Sequence, residues 1–158
     1  MHPILLYDGV CGLCNRLVQF VLRRDAAGVF RFASLQSELA QRILARHGMD
    51  ARDLDSVYVV LDSDQPGESV LARSDAVIFI LRHLRAEATT GGPAPFTAKG
   101  SVSGFAFWRV LGFLLPIIPR RLRDLGYRII ARNRYRIFGR YDSCPIPTEE
   151  TRSRFLDL

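Results

Sequence analysis

Cysteine is scarce in this chain, with three among 158 residues. That number, small and odd, argues against a secreted disulfide framework and for a reduced, cytoplasmic setting. Lysine is nearly missing, since Lys99 stands alone. The resulting preference for arginine is read mainly as a compositional habit of the source genome. The opening MHPILLYDG has neither a basic stretch nor a long apolar run, so no secretory signal is expected. The most apolar segment, VSGFAFWRVLGFLLPIIP at 102–119, is interrupted by Arg109 and is too short for a bilayer span, so no transmembrane helix is expected. Internal repeats and low-complexity tracts are also missing.

What remains is the composition of an ordinary soluble protein, 48% hydrophobic and 24% charged. A chain of 158 residues predicts a single domain, 1–158, that buries its core without disulfide staples. Charge is unevenly placed. Residues 1–100 carry 11 basic and 11 acidic side chains, whereas 101–158 carry 11 arginines and 5 acids. The whole excess of +6 sits in that last part.

PILLYD at 3–8 reads as a short strand stopping at Asp8-Gly9. NRLVQFVLRRD at 15–25 places Leu17, Val18, Val21 and Leu22 at helical spacing, and Gly28 ends the helix. VFRFASL at 29–35 predicts a second strand. Ser37 and Gly48 bracket a second helix. SVYVVLD at 56–62 is a β-branched central strand. DSDQPG supplies a turn, and SVLAR at 69–73 returns as its partner. Ser74-Asp75 then cap a third helix, AVIFILRHL. The Gly/Pro-rich 88–101 reads as a loop, and 102–158 as a C-terminal helical extension broken around Pro116–Pro119. These helices are read as packing on the core. A second reading lays one of them in a membrane surface, basic face to the headgroups.

The chemistry concentrates in YDGVCGLCN at 7–15. Cys11 and Cys14 are separated by two residues at a strand-to-helix junction. Positions i and i+3 share one helix face, so the two sulfurs can close a small ring. At the helix start, free N–H groups and the macrodipole favour a thiolate, so Cys11 is the predicted nucleophile. Cys14, one turn in, is the predicted resolving thiol and is expected to be the more buried. Gly9 and Gly12 are expected to keep the loop open, and Arg16 to add positive charge. Asp8 either takes a proton from Cys14 or bonds the backbone as an Asx-type turn.

Strand, helix, strand, helix, strand, strand, helix, with the cysteine pair at the first junction, is the order of an α/β thioredoxin-like core in its compact glutaredoxin form (1–87). Asp8-Gly-Val-Cys11-Gly-Leu-Cys14 also resembles the D-x-x-C-x-x-C signature of the DCC family of predicted thiol–disulfide oxidoreductases. RNRYRIFGRYDSC at 132–144 resembles that family's C-terminal region. The likeness spans roughly residues 4–147. It implies a thioredoxin-like fold with a mixed four-stranded sheet, and protein-disulfide reductase-type activity carried by Asp8, Cys11 and Cys14. No cofactor beyond the dithiol is implied. Thioredoxins and glutaredoxins carry a cis-proline before the third strand. Here that place reads Leu54-Asp55-Ser56-Val57, with no proline between Pro3 and Pro66.

The expected partners are a protein disulfide or a glutathione-like thiol. Ser74 and Asp75 echo the residues with which glutaredoxins hold glutathione, so they are candidate substrate-binding positions. Cys144 is a candidate third thiol or an incidental one. A zinc module of Cys11, Cys14, Cys144 and one of His2, His47 or His83 is the rival reading. The arginines at 120, 121, 123, 128, 132, 134, 136 and 140 are read as a solvated face beside Leu122, Leu125, Ile129 and Ile130. Nucleic acid is therefore not the expected partner. A further reading brings some of these arginines to the active-site face, where they would stabilise the Cys11 thiolate.

Overall fold

The first strand, β1 (Ile4–Tyr7), is buried at every position. Four apolar side chains in a row suit a strand covered on both faces, and the alternation of the pleat sends them to two separate cores. Leu5 and Tyr7 join one cluster, which also holds Cys11, Cys14, Phe32 and Val59. Ile4 and Leu6 join another, built on Leu35, Ile43, Leu44 and Val60. The structure, a computed structural model, describes residues 2–25, 27–50, 56–84, 110–141 and 149–157.

The elements that follow are α1 (Gly12–Arg24), β2 (Arg31–Ser34), α2 (Glu38–Arg46), β3 (Tyr58–Leu61), β4 (Ser69–Ala72) and α3 (Arg73–His83). The sheet runs β2-β1-β3-β4. β1 pairs parallel with β2 and antiparallel with β3, and β4 returns antiparallel on β3. This is the mixed four-stranded α/β sheet expected, and it is compatible with a thioredoxin-like fold. α1 and α3 pack in the first core and α2 in the second.

Local chemistry moves several boundaries. α1 stops at Arg24 with Asp25 as its C-cap, short of Gly28. The buried Asp25 carboxylate accepts the N–H groups of Val29 (3.0 Å) and Phe30 (2.9 Å), which delays β2 to Arg31. Arg154 closes an ion pair on the same carboxylate. α2 is capped by Ser37 as expected, the hydroxyl accepting from the Ala40 N–H. α3 is not capped by Ser74-Asp75. It begins at Arg73, directly after β4, with Ala72 at the N-cap and no side-chain cap bond.

Residues 110–114 are helical, and Pro116 falls in a 3₁₀ turn, Leu115–Ile117. Pro119 is the N-cap of a 19-residue helix, α4 (Arg120–Phe138), so the expected proline break is present. α4 packs on α1 and α3. A short α5 (Glu149–Arg152) leads to residues 154–156, which pair with the outer edge of β2. Phe32 donates to the Arg154 carbonyl and accepts from the Leu156 N–H, each at 2.9 Å. That edge is thereby covered rather than left open to another chain. The expected loop at 88–101, Arg109 and Cys144 lie outside the described residues.

Candidate active site

Asp8 follows β1, and Cys11 is the N-cap of α1, where the sequence places it. Its sulfur accepts the Cys14 N–H at 3.5 Å, the bond a serine or aspartate usually makes at this position. Asn15 fixes the loop by donating to the carbonyls of Gly9 (2.7 Å) and Cys11 (3.0 Å). The two sulfurs therefore share one helix turn.

Their acidities diverge. Cys11 is pulled from 9.0 down to about 6. The largest cause is the thiol of Cys14 donating to the Cys11 sulfur; burial opposes it, and the Cys14 N–H and the Arg134 charge add to it. Cys14 moves the other way, because its proton is held on Cys11 and because it is buried, while Arg134 and the Asp8 main chain counteract. One proton shared by two thiols, with a guanidinium beside them, yields a thiolate on Cys11 and a thiol on Cys14.

Asp8 is fully buried and tightly engaged. One oxygen accepts the Val10 N–H (3.2 Å) and the Gln36 side chain (2.9 Å). The other accepts Arg134 (3.1 Å) and the Tyr135 hydroxyl. The bond two residues on is the Asx-type turn foreseen from the sequence. The remaining contacts are new: Asp8 anchors a buried arginine of α4, and that arginine's charge reaches both sulfurs. Arg16, by contrast, lies over the Phe138 ring, 5.7 Å from its centroid.

One expectation needs correction. Gly9 and Gly12 do not keep the loop open. Gly12 lies against the end of α4, where a Cβ would collide with the Phe138 carbonyl. The N–H of Gly12 donates to Gly139 O (3.1 Å), the N–H of Tyr141 donates to Val10 O (2.8 Å), and Cys11 pairs with Arg140 in an antiparallel bridge. Residues 139–141 thus form a strap across the helix start. Both thiols are closed off from solvent, Cys11 at 0% and Cys14 at 3% exposed. The C-terminal helix packs on the core as expected, brings Arg134 and Tyr135 to Asp8, and leads into the strap.

The other sequence candidates have partners of their own. Ser74 donates to Asp124 (2.5 Å), and Asp75 pairs with Arg120 (3.0 Å) and Arg123 (3.2 Å). Both residues are occupied by α4. Val57, at the place of the absent proline, donates its N–H to the Tyr127 hydroxyl (2.9 Å) and accepts the Arg73 N–H (3.0 Å). Its backbone is therefore already paired within the chain. Beside Cys14 lies an apolar cavity of about 280 Å³, lined by Leu13, Leu17, Val77, Tyr127 and Ile130 among others. Burial pushes the Tyr127 phenol up to about 12. Among the described residues no three His, Cys, Asp or Glu side chains gather as metal ligands, and Cys144 lies outside them.

Residues 5–97 match the DCC1-like thiol-disulfide oxidoreductase family. The chain belongs to that family. "Uncharacterized protein YuxK" of Bacillus subtilis is 37% identical over 155 residues, covering 98% of this chain and 94% of the relative. "DCC family protein At1g52590, chloroplastic" of Arabidopsis thaliana is 35% identical over 145 residues, covering 92% and 70%. No solved structure matches. Membership of the DCC1-like family supports a general thiol–disulfide oxidoreductase role. It carries no single compartment, since the Arabidopsis relative is named chloroplastic. No helix among the described residues is long and apolar enough to cross a membrane. The family match ends at residue 97, so Arg134, Tyr135 and the strap lie beyond it.

Proposed function

We propose that the chain exchanges a Cys11–Cys14 dithiol with the disulfide of a protein or of a glutathione-like small molecule, using no cofactor beyond the two sulfurs. The observation that supports this reading is the opposed acidity of two thiols in one helix turn, with Cys11 lowered to about 6. A thiolate with that acidity is populated near neutral pH and remains nucleophilic.

The Cys11 thiolate attacks one sulfur of the substrate disulfide. A Cys11–substrate bond forms, the substrate S–S bond breaks, and the second substrate sulfur leaves as a thiolate. Forming that mixed disulfide removes the Cys11 charge. Cys14 is held protonated first by its hydrogen bond to Cys11, then by burial, and further by that charge. Once the hydrogen bond and the charge are gone, burial alone opposes Cys14 ionisation while Arg134 and the Asp8 main chain favour it. Cys14 then gives its proton to the substrate thiolate released in the first step, which leaves as a thiol, and attacks Cys11, closing the intramolecular disulfide and releasing the substrate sulfur bound to Cys11 as a thiolate. Two electrons pass to the substrate, and the order of the steps is built into the shared proton.

Asp8 acts here as a positioning residue. Its carboxylate already accepts four donors and holds Arg134 beside the sulfurs. Attack requires the strap at 139–141 to lift, since Cys11 has no exposed surface beneath it. Equilibrating the protein with glutathione redox buffers, followed by alkylation and peptide mass mapping, tests the reading. A Cys11–Cys14 disulfide forming and breaking as one two-electron couple supports it. Thiols that stay reduced across the range, or a couple made with Cys144 instead, would refute it.

A further inference from the structure

α4 is apolar on two sides. Its inner side packs on α1 and α3 and buries Ala131 and Arg134. Its outer side carries Leu122, Leu125 and Ile129 at spacings of three and four, which brings them into one stripe. They are 60%, 51% and 57% exposed, and Ile137, further along the helix, is 65% exposed. Ile117, in the turn before the helix, is 75% exposed. Scattered apolar residues are usual on a protein surface, but a continuous helical stripe marks an interaction site.

Arginines flank the stripe. Arg121, Arg128, Arg132 and Arg136 are exposed and make no ion pair among the described residues. Over its 19 residues α4 carries seven arginines against one acid, Asp124. An apolar ridge bordered by unpaired cations, on a helix that cannot span a bilayer, matches the interfacial helix in both charge and shape. A second copy of the chain would bring the same arginines face to face, which charge disfavours. Nucleic acid would match the charge but leave the leucines and isoleucines wet.

We infer that the outer face of α4 docks this protein on an anionic lipid bilayer, apolar ridge inserted at the headgroup boundary and arginines on the phosphates. The docked face adjoins the redox site. Ile130 lines the apolar cavity beside Cys14 and is itself 52% exposed, and a shallow groove of about 320 Å³ between α3 and α4 continues from it past Leu122 and Ile118. The inference does not depend on the proposed redox chemistry.

The full chain is sedimented with vesicles of phosphatidylcholine containing phosphatidylglycerol, and with vesicles of phosphatidylcholine alone. Binding to the anionic vesicles at least about tenfold tighter than to the neutral ones, and weakened by salt, supports the inference. The double variant Leu125→Glu, Ile129→Glu should lose that binding by at least about tenfold. It touches no cavity or cysteine residue, so its Cys11 alkylation rate in solution should match that of the unaltered protein and report an intact fold. Equal binding to both vesicles, no binding to either, or a dimer in light scattering that the double variant splits would each overturn it.

Discussion

Replacing Cys14 by alanine removes the largest single cause of the low Cys11 acidity constant, the thiol that donates to the Cys11 sulfur. The Cys14 main-chain N–H (3.5 Å) and the Arg134 charge stay in place. A hydrogen bond to a charged group contributes about 1.5–3 kcal/mol. At about 1.4 kcal/mol per unit, the loss is worth about one to two pH units. Cys11 should therefore rise from about 6 to roughly 7–8. At pH 7 its thiolate fraction would fall from about nine-tenths to between a half and a tenth. Cys14→Ser keeps a hydroxyl donor at the same position and should raise the value less. The assay follows ultraviolet thiolate absorbance against pH, with iodoacetamide labelling mapped to Cys11. An alanine variant that titrates where the intact protein does would refute the shared-proton argument.

Arg134→Gln should raise the Cys11 value and also cost about 3–5 kcal/mol in urea denaturation, because it strands the buried Asp8 carboxylate. Adding Asp8→Asn should recover much of the stability while leaving Cys11 raised, a split that a purely structural ion pair would not give. Tyr141→Pro removes the N–H donated to Val10 O, worth about 1 kcal/mol, and should speed Cys11 labelling by about fivefold with its acidity unchanged. An unchanged rate would show that the strap does not limit access. Reduced protein should also show a pH-dependent stability. The folded acidity constant of Cys11 lies below that of an unfolded thiol, so its thiolate stabilises fully above the unfolded value, near 9, and the contribution is lost as pH falls through about 6. Against a Cys11→Ser variant, the stability difference should climb between those limits with a slope approaching about 1.4 kcal/mol per pH unit. A flat difference would mean that the two states share one acidity.

The parts of this molecule legible in the sequence are those set by local pattern. Continuous burial of β1 follows from ILLY, the α2 cap from Ser37, and the α4 start from Pro119. Cys11 at a helix N-cap follows from a strand ending just before a C-x-x-C. What stayed hidden depends on contacts far apart in the chain. Arg134 and Tyr135 lie more than 120 residues from Asp8, and nothing local distinguishes Arg134 from the solvated arginines around it. One expectation, that some C-terminal arginines approach the sulfurs, was correct in kind without fixing the residue. The segment 132–144 held the signal, since its Arg-Tyr and Phe-Gly pairs are the residues that reach Asp8 and cover Gly12. The sequence also suggested an open Gly-x-x-Gly loop, because glycine permits both freedom and close approach, and only the packed helix shows which is in use. Ser74-Asp75 read as a cap for the same reason: cap residues also serve as partners for a neighbouring helix, here α4.

The most direct measurement is capture of the mixed disulfide. The Cys14→Ser variant, reduced and exposed to a disulfide-bonded protein substrate, should accumulate a covalent adduct whose linkage maps to Cys11, and the Cys11→Ser variant should trap little. An adduct on Cys14 or Cys144 in place of Cys11, or none with either variant, would contradict the account.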